Sequence, residues 1–159
     1  MIFSRKTPKK MPPKLVIEGG EVEYATHVKY LGVILDQKLN YEKHISDKID
    51  KARRAIHAAR NKIKGTIGPH PKSIKWVYEC VALPILTYAC HVWRHKAKRE
   101  TLQKFQRQGC PLIAPVLDKT PTEALEVIYD IKPLNLLLEK LAVEKYLNTR
   151  NTYKRVWSG

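Results

Sequence analysis

The clearest pattern in the chain is an apolar stripe between residues 41 and 65. Its members recur at steps of three or four, the spacing of one helical face, and they are Tyr41, Ile45, Ile49, Ala52, Ile56, Ala59 and Ile63. Asn40 before the stripe is a residue type that caps helices, and Gly65 after it is a type that ends them. The pattern therefore predicts one amphipathic helix over residues 41–65.

The residues before this helix show strand patterns instead. The stretches "KLVIEG" and "EVEYATHVKYLGVILD" are rich in β-branched and aromatic residues. Gly19 and Gly20 stand between them, and glycine readily adopts the positive φ angles that hairpin turns need. A small antiparallel β element is predicted over residues 1–40.

A second helix is predicted in "IKWVYECVALPILTYACHVWR". This stretch is apolar nearly all round, which is typical of a helix at the centre of a core. Pro84 should kink the helix, because proline removes one backbone hydrogen bond. Much of the buried area is expected from its four large aromatic side chains, Trp76, Tyr78, Tyr88 and Trp93.

Three more helices are predicted in the rest of the chain. "KRETLQKFQRQG" predicts a basic helix that ends at Gly109, and the two prolines of "CPLIAPVLD" exclude a regular helix throughout that segment. Thr120, Pro121 and Glu123 have the spacing of a capped helix start, with Thr120 as N-cap. The last helix carries the apolar stripe Leu134, Leu137, Leu138, Leu141 and Leu147. The polar residues after Arg150, which follow this helix, are expected to be loose.

Together the patterns predict an α+β fold that is mostly α. Residues 1–40 form the β element, residues 41–150 form a bundle of about four to five helices, and residues 151–159 form a flexible tail. With 159 residues, 43% of them apolar, the chain is long enough to bury a core.

The net charge of +15 is clustered along the chain. Residues 1–14 hold five basic residues and no acidic one, residues 41–65 hold eight basic and three acidic, and residues 94–108 hold six basic and one acidic. Each of these segments contributes +5, and the rest of the chain cancels. Because clustered positive charge attracts phosphate backbones, nucleic acid is the leading expected partner.

Other classes of protein fit the sequence less well. The most apolar stretch, "CVALPILTYACHVW", contains Pro84 and His91 and is too short to span a bilayer, so no membrane association is expected. The first 14 residues lack the apolar run of a signal peptide. Cys80, Cys90 and Cys110 are odd in number and not closely paired, which favours core residues in a reducing, intracellular compartment.

A zinc site is the alternative interpretation of one histidine pair. His91 and His95 are four residues apart, with Cys90 beside them. Structural zinc sites have two closely paired ligand sets, and only one such pair occurs here, so the pattern favours ordinary core and surface histidines. Cys110 has no assignable partner histidine, so it is not expected to act as a nucleophile. No catalytic residue and no metal ligand is predicted in this chain.

Taken in order, several segments of the chain resemble one protein family. They are "VKYLGVILDQKLNYEKHI", "KARRAIHAAR", "LPILTYACHVW", "FQRQ", "TPTEAL" and "KPLNLLLEK". They are similar to the region after the polymerase palm in reverse transcriptases of non-LTR retrotransposons of the jockey, I and R1 type. The ordered set covers nearly the whole chain and is more specific than any single motif. The resemblance implies a fragment of an RNA-directed DNA polymerase that comprises the end of the palm, the thumb and its connection.

The resemblance also implies roles for two N-terminal segments. "MIFSRK" corresponds to the last palm strand. The strand holding Tyr30, Leu31, Gly32 and Val33 resembles the primer grip, which holds the primer end near the active site. From the residues alone, the same segment is an ordinary buried strand with Gly32 at a bulge.

The chain departs from the family in two places. The catalytic Tyr-(any)-Asp-Asp motif is absent and is expected upstream of Met1, in the missing palm and fingers region. No Asp-Asp pair occurs, so the carboxylates that would hold two catalytic magnesium ions are missing and the chain alone is predicted to be inactive. "GCPLIAPVL" also departs, since the family continues a helix there with a Thr-Gly near Ala114 and Pro115, which indicates a drifted copy.

The nucleic-acid contacts are expected on the helix over residues 41–65. Six residues are assigned to them: Lys51, Arg53, Arg54, Arg60, Lys62 and Lys64. They would contact phosphates of an RNA or DNA primer–template, which position a protein without reading sequence. The alternative is a solvated helix face, the usual role of a single charge run.

Three hypotheses for the whole chain stay open. In the first, it is the thumb-containing fragment of a reverse transcriptase, whose parent uses magnesium. In the second, it is an independent, non-enzymatic nucleic-acid-binding or scaffold protein. In the third, it is a relic that does not fold stably, because "MIFSRK" would be an unpaired edge strand. An in-frame palm in the genomic sequence upstream of Met1 would favour the first over the second.

Overall fold

The fold is given by a computed structural model, which describes residues 1–3, 13–17, 19–63, 70–113 and 120–157. For Pro111 and residues 153–157 it describes the backbone alone. Two short antiparallel hairpins come first and a set of helices follows, so the predicted α+β class that is mostly α is confirmed.

The first hairpin pairs strand β1 (Val16–Ile17) with strand β2 (Gly20–Glu21). Gly19 lies in its turn with a φ of 82°, a conformation that glycine adopts without a steric penalty. The predicted turn at Gly19 and Gly20 is therefore confirmed, although the strands are only two residues long. The side chains of both strands are exposed.

The second hairpin pairs strand β3 (His27–Tyr30) with strand β4 (Val33–Asp36). Leu31 and Gly32 form its two-residue turn, and both have positive φ angles, 45° and 76°, as the preferred two-residue hairpin turns require. The prediction of one strand through Tyr30 to Val33 was wrong, because Gly32 supplies a chain reversal here and not a bulge. Residues 1–3 of "MIFSRK" are not in a strand, and residues 4–6 lie outside the described residues.

Helix α1 (Glu42–Lys62) confirms the predicted amphipathic helix. The first five members of its apolar stripe are buried, and Ala59 and Ile63 are more exposed near its end. Asn40 is not the N-cap: Tyr41 occupies that position with a φ of 59°. The Asp36 carboxylate accepts hydrogen bonds from the backbone N–H groups of Asn40 (3.1 Å) and Tyr41 (2.8 Å), so a side chain from β4 supports the helix start. Gly65, the predicted end, lies outside the described residues.

The predicted central helix is divided in two. Helix α2 (Pro71–Val77), a π-helical turn (Tyr78–Ala82) and helix α3 (Leu83–Thr87) follow without interruption. The N–H of Leu83 closes the π-helical turn with a hydrogen bond to the carbonyl of Tyr78, and Pro84 is the next residue. The helix then breaks at Ala89, which has a φ of 53°, before helix α4 (Cys90–Trp93) and a 3-10 turn (Arg94–Lys96). The prediction of a kinked helix running through Arg94 was therefore wrong.

The four aromatic residues of this stretch differ in burial. Tyr78 and Trp93 are fully buried, as predicted, while Trp76 is 62% exposed and Tyr88 is 47% exposed. Trp76 lies outside the core because α2 buries Ile74 and Val77 instead. The expectation that all four form the core was thus wrong for two of them.

Helix α5 (Arg99–Ile113) runs through Gly109, the residue predicted to end it. A Cβ atom at Gly109 would lie 3.3 Å from the Tyr78 ring, so the glycine permits close helix packing and is not a stop signal. Helix α6 (Thr122–Ile128) has Pro121 at its N-cap and no side-chain cap bond, so the predicted cap by Thr120 was wrong. Cys110 is buried in α5, and Cys90 is also buried, whereas Cys80 is exposed.

Helix α7 (Leu134–Trp157) continues past Arg150, so a loose tail is wrong for residues 151–157, and residues 158–159 lie outside the described part. Leu134 and Leu138 of its predicted stripe are buried, and Leu147 is 48% exposed because the helix extends beyond the core. Buried Gln106 joins α5 to the start of α7: it donates to the Lys132 carbonyl and accepts from the Leu134 N–H, both at 2.9 Å.

The core is organised around α1. This helix packs against β4, α2, α3 and α5, while α7 packs against α4 and α5. His44 of α1 is fully buried: its Nδ1 accepts a hydrogen bond of 3.2 Å from the Ile34 N–H, and its ring packs edge-on against Trp93. The second hairpin is thereby attached to α1. Among the described residues, no helix is both long and apolar enough to cross a bilayer.

Candidate nucleic-acid interface

The five described members of the predicted basic set lie on α1 outside its buried stripe. Lys64 lies outside the described residues. Arg53 and Arg60 are two turns apart and share one side of the helix, and Lys51 and Lys62 are three turns apart and share another. The exposed side chain of Arg54 lies between these sides. The helix therefore presents its cations on two flanks and not as one stripe.

One flank borders a groove between α1 and α5. Two adjoining cavities of about 420 and 290 Å³ share Arg53 and Phe105 as lining residues. We call them together the α1/α5 groove. Its apolar floor contains Ile45, Ile49, Ile56 and Phe105, and its rim contains Arg53, Lys96, Lys98, Lys104, Glu42 and Asp50. The fold thus brings together the basic segments 41–65 and 94–108.

The cations of this groove differ in their partners. Arg53 donates to the side-chain oxygen of Gln108 at 2.6 Å and forms an ion pair of 3.4 Å with Asp50, so it helps to hold α1 against α5. Lys96, Lys98 and Lys104 are exposed, and within the described part of the chain no ion pair involves them. Their ammonium groups are therefore available to an anionic ligand.

These three lysines were not assigned to the site from the sequence. The signal for them was the +5 charge of residues 94–108, which marked the segment as basic. Only the packing of α5 beside α1 shows that this segment and the α1 cations border one groove.

The opposite flank of α1 meets the second hairpin, and we call it the hairpin flank. It carries Lys48 and Lys51, with Lys29 nearby on β3. Lys51 forms an ion pair of 2.7 Å with Asp47, and the Lys48 ammonium lies 4.3 Å from the centre of the Tyr88 ring. Partial burial and the positive charge of Lys51 lower the pKa of Lys48, against an opposing effect of Asp47, and Lys29 adds to the lowering. Lys48 and Lys51 on this flank thus already have partners within the protein.

The four primer-grip-like residues lie at the tip of the second hairpin. Tyr30 is 64% exposed and Leu31 is 75% exposed, whereas Val33 is buried. The Tyr88 hydroxyl donates a hydrogen bond of 2.9 Å to the Leu31 carbonyl, and Gly32 lies against the Tyr88 ring. Two large apolar side chains are therefore presented to solvent beside the lysines of the hairpin flank.

The residues weighed as metal ligands or nucleophiles are not brought together. Within the described residues, no three His, Cys, Asp or Glu side chains are close enough to hold a metal ion. His91 is exposed, and His95 packs edge-on against Tyr41. Burial, with a contribution from Glu126, raises the pKa of Cys110 to about 11, which leaves its thiol protonated and unreactive near neutral pH.

Comparisons with known proteins find proteins of mobile elements, and two of the names describe RNA-directed DNA polymerases. Over 87 residues, 51% of this chain, it is 33% identical to the RNA-directed DNA polymerase from mobile element jockey of Drosophila funebris. Over 86 residues, 54% of the chain, it is 31% identical to the probable RNA-directed DNA polymerase from transposon X-element of Drosophila melanogaster. Over 148 residues, 91% of the chain, it is 21% identical to the putative 115 kDa protein in type-1 retrotransposable element R1DM of Drosophila melanogaster.

The chain spans only a small part of these relatives. The matched regions are 9% of the jockey protein, 14% of the R1DM protein and 9% of the X-element protein. No protein-family model matches the chain. No solved structure matches it.

Proposed function

Since this chain resembles a segment of the RNA-directed DNA polymerases of non-LTR retrotransposons, we propose that it holds the primer–template nucleic acid of such a polymerase. Nucleotide addition would depend on residues outside the chain. The partner would be an RNA or DNA duplex, or their hybrid, held mainly through its phosphates.

The observation that carries this proposal is the meeting of two basic segments at the α1/α5 groove. Lys96, Lys98 and Lys104 face solvent at the groove rim with no ion-pair partner among the described residues. An exposed lysine without a carboxylate partner can neutralise a phosphate and release its counterion, which is the main source of non-specific affinity. Such contacts would position the duplex without reading its sequence.

The outer face of α1 would lie under the duplex. A helix with its side chains is about 10–12 Å across, narrower than a duplex, so one duplex over this face can reach the cations on both flanks. Arg54 on the outer face would contact the backbone directly. Arg60 and Lys62 in the last turn of α1 also interact favourably with the helix dipole, and this structural role does not need a ligand.

The hairpin tip would contact the primer strand. Tyr30 and Leu31 expose apolar surface next to Lys29 and Lys48, a combination suited to sugars and bases whose phosphates lie on the lysines. This is the contact that the primer-grip resemblance implies for these residues.

The catalytic magnesium ions would be held elsewhere in the polymerase. The sequence contains no adjacent pair of aspartates, and two-metal phosphoryl chemistry needs clustered carboxylates. The purified chain, incubated with a primed RNA template, deoxynucleotides and magnesium, is expected to give no primer extension. Extension above a heat-denatured control would contradict this part of the proposal.

Binding can be tested by fluorescence anisotropy with a labelled RNA–DNA primer–template between about 50 and 200 mM salt. The wild-type chain is expected to bind with a steep salt dependence. Replacing Lys96, Lys98 and Lys104 by alanine should lower the slope of log affinity against log salt by roughly one per lysine. The matched control removes the same charge elsewhere, with alanine at Lys132, Lys145 and Arg150. Equal slopes for the two triple variants would remove the groove from the binding surface.

A further inference from the structure

The turn at the tip of the second hairpin is strained. Leu31 has a φ of 45°, a left-handed conformation that is unfavourable for a residue with a Cβ atom. Asn-Gly is the favoured sequence for such a turn, and leucine offers no local hydrogen bond in its place. The strain must therefore be balanced by contacts from outside the hairpin.

Tyr88 supplies these contacts. Its hydroxyl donates to the Leu31 carbonyl at 2.9 Å. Its ring lies so close to Gly32 that a Cβ atom there would be 3.1 Å from a ring carbon. Both residues of the turn are thus fixed by one side chain, which lies 57 positions after Leu31 in the sequence.

Tyr88 is itself fixed by the core and by α1. The indole N–H of fully buried Trp93 donates to the Tyr88 carbonyl at 2.9 Å, and the Lys48 ammonium lies over the ring at 4.3 Å. The helix break after Tyr88, where Ala89 has a φ of 53°, separates Tyr88 from the helical path of α3. Tyr88 therefore links the hairpin tip to the basic helix and to the core.

From this geometry we infer that Tyr88 is a positioning residue, which holds the Leu31–Gly32 turn so that Tyr30 and Leu31 meet the bound strand at a fixed place beside Lys48. The inference rests on the proposed function, because it assigns a role within the binding of primer–template. Tyr88 acts through the turn, because the hydroxyl proton that could bind a phosphate is already donated to the Leu31 carbonyl.

The first test is Tyr88→Phe, which keeps the ring and removes only the hydroxyl. Affinity for the primer–template is expected to fall roughly fivefold, the effect of one lost hydrogen bond. The salt slope should not change, because no phosphate contact is lost. Tyr146→Phe on α7, another exposed tyrosine, is the matched control and should bind like the wild type. Wild-type affinity in Tyr88→Phe would overturn the inference.

A second test separates an action through the turn from a direct contact. In a Leu31→Asn background the turn sequence becomes Asn-Gly, which adopts the positive φ angles by itself. Tyr88→Phe should then reduce affinity less than it does in the wild type. An equal reduction in both backgrounds would mean that the hydroxyl touches the nucleic acid, and the positioning role would be wrong. Leu31 is at an exposed tip, so the Leu31→Asn chain is expected to fold.

The two proposals fail in different measurements. If the wild-type chain does not bind primer–template at low salt, the proposed function is wrong. If the wild-type chain binds and the Tyr88 variants bind equally well, only the positioning role is wrong. Amide hydrogen exchange at Val33, which pairs with Tyr30 across the turn, should become faster in Tyr88→Phe and confirm that the turn was loosened.

Discussion

The hairpin flank of α1 and the α1/α5 groove on its other side both present lysines, which differ in what they contact. On the hairpin flank, Lys51 is paired with Asp47 and Lys48 lies over the Tyr88 ring. At the groove, Lys96, Lys98 and Lys104 have no acidic partner among the described residues. The first group helps to assemble the protein, and the second is free to meet a ligand.

This difference shows why a count of charges is a poor guide to a binding surface. An exposed ion pair adds little stability, but its carboxylate reduces the positive potential that a phosphate would meet. Lys51 was assigned to the interface because it lies in a basic segment, and its bond to Asp47 weakens that assignment. The positive residues that lack internal partners define the surface better than the most basic stretch of sequence.

Removing two lysines from the α1/α5 groove and, separately, two from the hairpin flank tests this difference directly. We expect alanine at Lys98 and Lys104 to lower the salt slope of primer–template binding by roughly two, one for each phosphate contact. Alanine at Lys48 and Lys51 should lower it by less, because Asp47 already neutralises one of the charges. Both double variants lose the same net charge, so anisotropy titrations over a salt series compare like with like. A larger loss from the hairpin flank would reverse the assignment of the main phosphate surface.

Acid is expected to lower the stability of the protein by protonating His44, which attaches the second hairpin to α1. Burial, and then the charge of Lys48, lower the pKa of His44 below its ordinary value of 6.5, although Asp47 opposes them. The unfolded chain therefore takes up a proton first, so stability is expected to fall as the pH drops below about 6.5 and to level off below the folded pKa. Protonation would also remove the acceptor for the Ile34 N–H, which attaches β4 to α1. Melting temperatures across this pH range measure the effect.

Two asparagine variants identify the histidine responsible. His44→Asn keeps an acceptor near Nδ1 and cannot titrate, so its stability should depend less on pH than that of the wild type. His57→Asn replaces an exposed histidine of the same helix and should keep the full dependence. If both variants lose stability on acidification as the wild type does, His44 is not the source.

The α1 stripe and the fold class could be predicted from the sequence because they follow from local periodicity. The side chain that supports the start of α1 could not be predicted. It is Asp36, which lies four residues before Asn40 at the end of strand β4, and the pairing of that strand had to be known. Burial raises the pKa of that carboxyl, but several hydrogen bonds from backbone N–H groups together lower it below its ordinary value, which favours the charged form as a cap. Gly109 was similarly misjudged, because its role depends on the approach of the Tyr78 ring from another helix.

The candidate site was predicted in part for the same reason. The position of a basic residue on α1 follows from helical spacing, but the partners of Arg53 and Lys51 do not. Tyr88 was expected in the core because it lies in an apolar run, and the helix break at Ala89 instead brings it to the hairpin. A non-glycine residue at positive φ leaves no signal in the sequence, so this break was missed.

Ala89→Gly should stabilise the protein modestly. Alanine is unfavourable at a φ of 53°, and glycine relieves this strain at some cost in unfolded-state entropy, for a net gain of roughly 0.5–1 kcal/mol. For a chain of this length the melting temperature should rise by about 1–4 °C. Ala58→Gly in the exposed, regular part of α1 is the control and should destabilise by about 1 kcal/mol. If Ala89→Gly destabilised equally, the break that directs Tyr88 to the hairpin flank would not be strained.

The prediction with the smallest expected effect concerns the ion pair between Asp47 and Lys51. It tests whether Asp47 prevents Lys51 from binding the ligand. Asp47→Asn removes the carboxylate that accepts from Lys51 at 2.7 Å, and the lysine can then meet a phosphate. The salt slope of binding should rise by at most about one, because one further contact becomes available. Glu144→Gln frees Lys140 on α7 and changes the net charge by the same amount, so it controls for long-range attraction. A rise in Asp47→Asn that exceeds the control places Lys51 within reach of the bound strand, and equal slopes would confine the interface to the outer face and groove flank of α1.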